Sequence, residues 1–324
     1  MTGVQTCALP ILKNGLVLVG EPMGLLIAQT EGCLNNVSSY DLAVAGAEFN
    51  VAIGTARLEH KVTYMTKLGD DPFGKRITTV LKDNKIGDEF ISFSKERATG
   101  FMLKSRTSVG DPEIFYFRKN SAASTLNEDD VEKIDLSNYG YIHLTGILPA
   151  LSEDTKKATF SLIKKAKKQG LFISFDPNLR PQLWKSQEEM IQTINELASY
   201  ADLVLPGQAE GKILIGTDDE KEINDFYLQN GASICVTKCG SKGAYVSTKD
   251  GEGYMVEGYK VEKVVDTVGA GDGFATGVVT GLMEGLTLSE AVKRGTAIGA
   301  IQVMSRGDNE GLPTRQELKD FMNK

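Results

Sequence analysis

The sequence predicts an α/β fold in which a doubly wound, mainly parallel sheet carries a small β-sheet lid. After Glu128, short apolar runs alternate regularly with segments of helical periodicity, as in repeated β-α units. Two β-rich stretches, at about 22–44 and 90–118, flank an earlier β-α-β-α block. Strands inserted in this way are typical of a lid over the carboxyl ends of the sheet strands, where such folds bind ligands.

Each element follows from its local pattern. Short apolar or alternating runs bounded by turn residues predict strands at 16–20, 25–29, 37–44, 62–68, 90–93, 99–107, 114–117, 141–144, 171–175, 202–205, 233–237 and 244–248. Helical spacing predicts helices that begin after Ala45 and that cover 73–81, 153–168 and about 271–285, 288–304 and 314–323. Val264 and Val265 are predicted to end one more strand.

Composition limits the classes of protein that fit. The chain has 324 residues, 41% of them hydrophobic, enough for one large α/β domain beginning near Leu12. A formal net charge of -7 argues against a nucleic-acid partner, and no run of about 18 apolar residues predicts a membrane span. Residues 1–11 resemble neither a signal peptide nor the start of the domain, so we expect an added, disordered leader.

The four cysteines and two histidines suggest no metal site. The cysteines lack the paired spacing of a zinc site, which favours free thiols in a reducing cytoplasm. His60 and His143 have no cysteine or carboxylate cluster near them and receive no role.

The most informative stretch is a glycine turn that opens a late helix. Gly269, Ala270 and Gly271 precede residues with helical spacing. The first amides of a helix have no internal partner and carry partial positive charge, so this turn predicts an anion site of the kind that binds phosphate. Asp272 follows directly and fits either ordinary capping or a base that receives a hydroxyl proton beside the phosphate.

Two other phosphate-binding motifs do not fit the sequence. The glycines of the late turn are not spaced as in the dinucleotide fingerprint G-x-G-x-x-G, which also belongs near a first strand. Residues 69–75 match G-x4-G-K, but Arg76 replaces the required Ser or Thr and two aspartates would face the phosphates. A nicotinamide-dependent dehydrogenase is therefore disfavoured, and we interpret 71–72 as a helix start.

Residues 266–274, D-T-V-G-A-G-D-G-F, resemble the C-terminal signature D-T-x-G-A-G-D of the ribokinase-type carbohydrate kinases, also called the phosphofructokinase-B family. The similarity extends from Leu16 to the C-terminus. It implies a ribokinase-like fold, ATP and Mg²⁺ as cofactors, Asp272 as catalytic base and the Gly269–Gly271 amides as the anion hole.

Polar residues at element ends are candidates for sugar and phosphate recognition. Asn50 falls on the first turn of a helix, where it faces either a hydroxylated ligand or solvent. Arg118 and Arg180 follow predicted strands, and a guanidinium there can grip a carboxylate with two parallel bonds. A surface salt bridge is the alternative for each arginine.

The resemblance assigns roles to further positions. It implies that the substrate contacts Gly46, Asn50, Tyr116, Arg118, Arg180, Asp272 and Asp308. It implies that ATP contacts Asn178, Arg180, Thr237, Gly240, Gly243, Gly269 and Gly271, with Glu210 acting indirectly on the metal. Three positions depart from the family pattern: Ala45 replaces a glycine, Met102 replaces a tyrosine, and Gly207 replaces the asparagine of an N-x-x-E motif.

The resulting hypothesis is an ATP-dependent sugar-acid kinase that phosphorylates O6 of 2-keto-3-deoxygluconate. A fructokinase or another sugar kinase of the family is the nearest alternative, and a non-catalytic sugar sensor on the same fold is an alternative from another class. Lid strands can pair between subunits, so we also expect a homo-oligomer.

Overall fold

The computed structural model describes residues 13–107, 112–305 and 307–323, so the expected leader lies outside the described residues. The strands are β1 Leu16–Val19, β2 Met23–Glu31, β3 Tyr40–Ala45, β4 Val62–Gly69, β5 Gly87–Ser94, β6 Phe101–Arg106, β7 Ile114–Phe117, β8 Tyr141–Thr145, β9 Phe172–Asp176, β10 Leu203–Val204, β11 Ile234–Lys238, β12 Gly243–Thr248 and β13 Gly251–Glu257. The helices are α1 Ala47–Arg57, α2 Pro72–Asp83, α3 Glu128–Lys133, α4 Glu153–Lys168, α5 Gln187–Ala198, α6 Gln208–Leu214, α7 Glu220–Gln229, α8 Ala270–Met283, α9 Leu288–Val303 and α10 Arg315–Met322.

The larger sheet has the strand order β13-β12-β11-β10-β9-β8-β1-β4-β5. Pairing is parallel from β11 to β5, and β12 and β13 are added antiparallel at one edge. Parallel strands need crossover helices, which cover both faces of the sheet. The predicted doubly wound, mainly parallel sheet is confirmed.

Alternate residues of β1 show how the two faces are filled. Leu16 and Leu18 belong to a core that includes Phe49 of α1 and residues of α8 and α9. Val17 and Val19 belong to a second core that includes Leu162 of α4. Successive side chains of a strand point to opposite faces, so a continuous apolar run buries both.

The smaller sheet, called the small sheet below, has the order β3-β2-β6-β7. Its β2/β3 and β6/β7 pairs are antiparallel, whereas β2 and β6 run parallel. Only Gly20, Glu21 and Pro22 separate β1 from β2, so the small sheet begins at the carboxyl end of the large one. Met23, Leu25, Ala45 and Met102 form its own apolar core.

The extent of the predicted lid needs a correction. Residues 90–93 lie in β5, which pairs with β4 in the large sheet, with Phe90 opposite Met65. The second part of the small sheet is therefore limited to β6 and β7. Short alternating runs look alike in both sheets, because the sequence pattern reports burial on one face and not the identity of the pairing strand.

The prediction of a strand that ends at Val264 and Val265 is wrong. The last strand is β13, which the sequence analysis missed, and no strand lies between it and α8. Val264 is 58% exposed, and Val265 makes a single main-chain bond, from its N–H to the Val303 carbonyl at 2.7 Å. Two β-branched residues without a neighbouring strand do not make a ladder, so an irregular segment leads into the glycine turn.

Helices α8 and α9 pack closely because glycines line their contact. A Cβ added to Gly277 would lie 2.6 Å from the Gly295 Cα, and one added to Gly281 would lie 2.7 Å from the Ala291 Cα. This contact fixes the axis of α8, whose first turn carries Asp272.

None of the helices in the described residues has the length and hydrophobicity needed to span a lipid bilayer.

We expect Gly277→Ala to lower the free energy of unfolding by about 1–3 kcal/mol, because the added methyl overpacks the helix contact. Urea unfolding followed by circular dichroism measures this change. Ser289→Ala, at an exposed position of α9, is the control and should change stability by less than about 0.5 kcal/mol. Equal unfolding midpoints for Gly277→Ala and wild type would contradict the tight contact.

Candidate active site

A cavity of about 390 Å³ lies between the small sheet and the carboxyl ends of the parallel strands. The β1–β2 connection contributes Glu21, and the start of α1 contributes residues from Gly46 to Asn50. The loop after β9, the end of β11 and the start of α8 complete the wall. Parallel strands bring their carboxyl ends to one edge of the sheet, which is why segments distant in sequence meet here.

The glycine turn at the start of α8 presents free amides to this cavity. Gly269 has a φ of +78°, and a Cβ there would lie 2.4 Å from the Asp308 carbonyl oxygen, so only glycine fits. The Ala270 N–H points to the Thr267 carbonyl at 3.4 Å, and the Gly273 N–H donates to Gly269 at 2.8 Å. The Gly271 and Asp272 amides have no acceptor in the described part of the chain, so they remain available to an anion.

Asp272 lies in the same turn and is held by an amide instead of a cation. The Asn50 Nδ2 donates to Asp272 Oδ2 at 2.8 Å, and Asn309 Nδ2 donates to Asn50 Oδ1 at 3.1 Å, which orients the Asn50 amide. Asn50 is buried, so the solvent-facing alternative is wrong. Burial raises the pKa of Asp272 to about 7, against the lowering effect of the Asn50 hydrogen bond; the nearby Asp176 charge raises it further. Such a carboxylate can accept a proton near neutral pH.

Arg118 lies against the cavity in a buried ion pair. Its Nε donates to Glu21 Oε2 at 2.6 Å, and its Nη2 reaches the same oxygen. Both side chains are buried, so the surface salt-bridge alternative is wrong for Arg118. Within the described residues, the Arg118 Nη1 has no acceptor and Glu21 Oε1 has no partner. Arg118 lines the cavity and keeps one guanidinium nitrogen that no described acceptor uses, whereas Glu21 Oε1 is buried.

Lys238, at the end of β11, is a cation that the sequence analysis did not select. Its Nζ lies 2.7 Å from Asp176 Oδ2 and 3.9 Å from Glu210 Oε2. A Cβ added to Gly271 would lie 3.8 Å from the same Nζ, so the ammonium adjoins the glycine turn. Burial alone would lower the pKa of Lys238, but Asp176 and Glu210 raise it, and the group stays charged.

Arg180 and Asn178 extend the wall from the loop after β9. The Arg180 Nη1 donates to the Leu179 carbonyl at 2.7 Å, which leaves most of its guanidinium unused by that bond. Asn178 has a φ of +38°, a strained value for a residue other than glycine. Its N–H donates to Asp176 Oδ1 at 3.1 Å, so the strained turn also orients the Asp176 carboxylate.

Most of the residues selected from the sequence meet in this cavity. They are Gly46, Asn50, Tyr116, Arg118, Asn178, Arg180, Glu210, Gly269, Gly271, Asp272 and Asp308. Ala270 does not line the cavity, although both its neighbours do.

Three residues expected at the nucleotide lie outside the cavity wall: Thr237, Gly240 and Gly243. The Thr237 hydroxyl is buried and donates to Asn224 Oδ1 at 2.7 Å, so it serves the packing of α7 against β11. The neighbouring Lys238 faces the cavity instead, because successive strand residues point to opposite faces.

Glu21, Glu48, Asp176 and Lys238 line the cavity but received no role from the sequence. Glu48 is buried in the first turn of α1, where it accepts a hydrogen bond from the Thr145 hydroxyl. Burial raises the pKa of Glu48 above its usual value. The sequence held a signal for both Glu48 and Lys238 as site residues. Glu48 is a charged residue among small and apolar residues at a helix start, and Lys238 is a lysine at the end of an apolar strand.

The departures from the family pattern have visible consequences. Met102 is buried and lines the cavity where a tyrosine would add a hydroxyl, so the wall is apolar there. Gly207 has no side chain to offer, but its N–H donates to Glu210 Oε2 at 2.7 Å. Glu210 Oε1 accepts from the Leu179 N–H at 3.2 Å, so this carboxylate remains fixed without the asparagine.

Comparisons with known proteins indicate the family that the chain resembles. The family model described as pfkB family carbohydrate kinase matches residues 13–315. The chain is 45% identical over 313 residues to the 2-dehydro-3-deoxygluconokinase of Bacillus subtilis (strain 168), covering 96% of each chain. It is 31% identical to the 2-dehydro-3-deoxygluconokinase of Thermoproteus tenax, covering 95% of this chain and 94% of that protein. The crystal structure of a PfkB protein from Polaromonas sp. JS666 matches with a TM-score of 0.86 and 40% identity, covering 94% of this chain and 99% of that one.

The buried Arg118–Glu21 pair predicts a specific pattern of stabilities. Arg118→Met should lower the free energy of unfolding by about 3–5 kcal/mol, because it leaves the Glu21 carboxylate buried without its cation. Adding Glu21→Gln should recover most of that loss, since the double variant has no unpaired buried charge. Urea unfolding of both variants and wild type measures the coupling. Additive losses in the double variant would contradict a direct ion pair.

Proposed function

Because the chain belongs to the pfkB family of carbohydrate kinases, we propose that it transfers the γ-phosphoryl group of ATP to O6 of 2-keto-3-deoxygluconate. One observation carries the proposal: a carboxylate with a pKa of about 7, Asp272, lies beside free helix amides in the cavity that also holds Arg118. Two relatives named for 2-dehydro-3-deoxygluconate, the same sugar acid, support the choice of substrate.

In the proposed reaction, Asp272 accepts the proton of the sugar hydroxyl as its oxygen attacks the γ-phosphorus. A P–O bond to the sugar forms while the bond to the ADP oxygen breaks, and ADP leaves with that electron pair. The Gly271 and Asp272 amides face the negative charge on the transferring phosphoryl group, and the α8 dipole adds to their effect. Positioning and electrostatics of this kind account for most of phosphoryl-transfer catalysis.

Sugar-acid recognition is proposed to lie on the side of the small sheet. Arg118 is proposed to offer its free Nη1 to the carboxylate, while Glu21 holds the guanidinium through Nε and Nη2. Tyr116, whose ring lies 5.7 Å from the Arg118 guanidinium carbon, packs beside it. Gly46, which lies against the Glu21 main chain, and Asn50 complete this part of the wall, and Asn50 is proposed to position the base as well as the hydroxyl.

Nucleotide binding is proposed on the side of the large sheet. Lys238 and Arg180 supply positive charge toward the phosphates, with Asn178 in the same wall. Thr237, Gly240 and Gly243 adjoin this region from behind Lys238, so we assign them the support of the wall and not a direct contact.

The carboxylates of the site fit a magnesium ion that is bound mainly by the nucleotide. Both Glu210 oxygens accept main-chain N–H bonds, and the Asp176 oxygens accept from Asn178 and Lys238. Occupied carboxylates of this kind hold Mg²⁺ through its water molecules, which the ion releases reluctantly. When bound, Mg²⁺ neutralises phosphate charge; Glu210 and Asp176 would orient it.

The small sheet is proposed to act as the lid predicted from the sequence. It covers the cavity with Met102, Ile114 and Tyr116, which exclude water from the transferring phosphoryl group. Exclusion of water limits hydrolysis of ATP in the absence of sugar.

A fructokinase is the second candidate, and one observation favours it. Glu21 offsets the charge of Arg118 in the buried pair, so the sugar side of the cavity carries less net positive charge than an isolated arginine would give it. A neutral ketose then meets no uncompensated cation.

A substrate panel with coupled ADP detection separates the two candidates. We expect kcat/KM for 2-keto-3-deoxygluconate to exceed that for fructose by about 10- to 100-fold, the effect of a hydrogen bond to a charged group. The Arg118→Met/Glu21→Gln double variant should lose this preference while retaining its fold. A wild-type preference for fructose would overturn the sugar-acid proposal.

The pKa of Asp272 predicts the pH dependence of turnover. Asp272 accepts a proton only when ionised, and with a pKa of about 7 its ionised fraction rises with pH. We expect kcat/KM to fall as the pH decreases through about 7, with a slope of one proton. Asp272→Asn should reduce kcat by about 100- to 10,000-fold and abolish this dependence.

Asn50→Leu tests the assignment of Asp272 as the base by shifting its pKa instead of removing its carboxylate. The Asn50 hydrogen bond lowers the pKa of Asp272, so its removal should shift the acid limb of the profile toward higher pH. A profile of the wild type that stays flat across neutral pH would contradict Asp272 as the base.

A further inference from the structure

Lys104 is a buried lysine with no assigned role, although its surroundings connect the two sides of the cavity. It lies on β6 of the small sheet, and its side chain is 5% exposed. Its Nζ donates to Asp266 Oδ2 at 3.0 Å and to Asp308 Oδ1 at 3.0 Å. The two carboxylates belong to segments separated from Lys104 by more than 150 residues.

Both carboxylates belong to main-chain segments that contact the glycine turn. Asp266 Oδ1 accepts from the Val268 N–H at 3.0 Å, directly before Gly269. The Asp308 carbonyl oxygen lies against Gly269 from the other side, at the 2.4 Å approach that excludes a Cβ. Gln302 Nε2 joins the same segments, with the Val268, Gly307 and Asp308 carbonyls within 3.3 Å. Through Asp266 and Asp308, the ammonium therefore acts on both supports of the turn.

The same strand carries the sugar side of the cavity. Met102 of β6 lies opposite Tyr116 of β7, and Arg118 follows β7 directly. A displacement of β6 would move these residues and Lys104 together. The ion pairs thus join the sugar-binding wall to the phosphate-binding turn.

The positive charge of Lys104 also affects the glycine turn, because it offsets the negative charges of Asp266 and Asp308. Without the ammonium, two carboxylates would face each other beside amides that must receive a phosphate. Like charges in a poorly hydrated site repel each other and would also repel the phosphate. The Lys104 ammonium offsets this repulsion from inside the protein.

We propose that Lys104 is a positioning residue, an internal counter-cation that holds the glycine turn in its phosphate-binding form when the small sheet is seated. This inference rests on the proposed phosphate site at that turn. Lys104 touches neither sugar nor nucleotide and acts through Asp266 and Asp308.

The test compares Lys104→Ala and Lys104→Arg with wild type. For Lys104→Ala we expect calorimetric affinity for a non-hydrolysable ATP analogue to fall by about 10- to 100-fold, the effect of lost bonds to charged groups. Affinity for ADP should change less than about twofold, because ADP lacks the γ-phosphate that the turn receives. Lys104→Arg should retain affinity for the analogue close to that of wild type.

Chemical rescue distinguishes a positioning cation from a merely structural residue. Ammonium or methylammonium chloride should restore analogue binding and kcat in Lys104→Ala, because a small cation can occupy the space between Asp266 and Asp308; sodium chloride at equal ionic strength is the salt control. Lys67→Ala is the matched protein control, since Lys67 pairs with Asp130 at 2.7 Å outside the cavity. It should show neither the selective loss nor the rescue.

If Lys104→Ala does not fold, Lys104→Met/Asp266→Asn keeps the net charge of the cluster and should show the same selective loss of analogue affinity. Unchanged analogue affinity in a folded variant would overturn the inference, as would equal losses for ADP and the analogue without rescue by amines. The Gly271→Val variant tests the phosphate site itself, because its side chain would block the turn. If this variant binds the analogue as tightly as wild type does, the proposed phosphate site is overturned. These binding measurements do not depend on which sugar is the substrate.

Discussion

The site depends on the balance of charge within one cavity. Carboxylates from six segments line a space that a kinase must open to a polyanionic nucleotide: Glu21, Glu48, Asp176, Glu210, Asp272 and Asp308. Four of them are paired with cations from elsewhere in the chain: Arg118 pairs with Glu21, Lys238 with Asp176 and Glu210, and Lys104 with Asp308. Within the described residues, Asp272 and Glu48 have hydrogen-bonding partners but form no ion pair, and burial raises the pKa of both. Of these two, Asp272 alone adjoins the free amides of α8, and that position is why we propose Asp272, and not Glu48, as the base.

The ion pairs also contribute to the placement of the small sheet, beside apolar contacts such as the stacking of Phe73 on Phe101. Its apolar core is small, with Met23, Leu25, Ala45 and Met102 as the buried members. Arg118 ties the end of β7 to the β1–β2 connection, and Lys104 ties β6 to the approach of α8. Buried pairs add little net stability compared with apolar packing, but they specify which groups must meet.

The sequence predicted local features well and pairing partners poorly. The parallel strands and α8 follow from short-range periodicity, and the glycine turn with Asp272 follows from adjacent residues. The place of Phe90 in β5 and the irregular segment at Val264 depend on which strand lies alongside, which periodicity does not encode. The same limit explains which site residues the sequence analysis found and which it missed. Asn50 and Arg118 were found as polar residues at element ends, but Glu21 and Lys238 acquire meaning only through partners more than 60 residues away.

On the proposed function, selectivity for an acid over a neutral sugar depends on how firmly the Arg118 guanidinium is held before the sugar binds. An isolated arginine would present its full charge, but it would also change rotamer freely and lose that freedom on binding. Glu21 holds the Arg118 Nε and Nη2 in place, so the guanidinium would lose less freedom when the proposed sugar acid binds. The cost is a weaker field, and the apolar Met102 in the same wall supplies no hydroxyl to replace it. On the proposed function, discrimination would therefore depend on the placement of one hydrogen-bond donor more than on the net charge of the cavity.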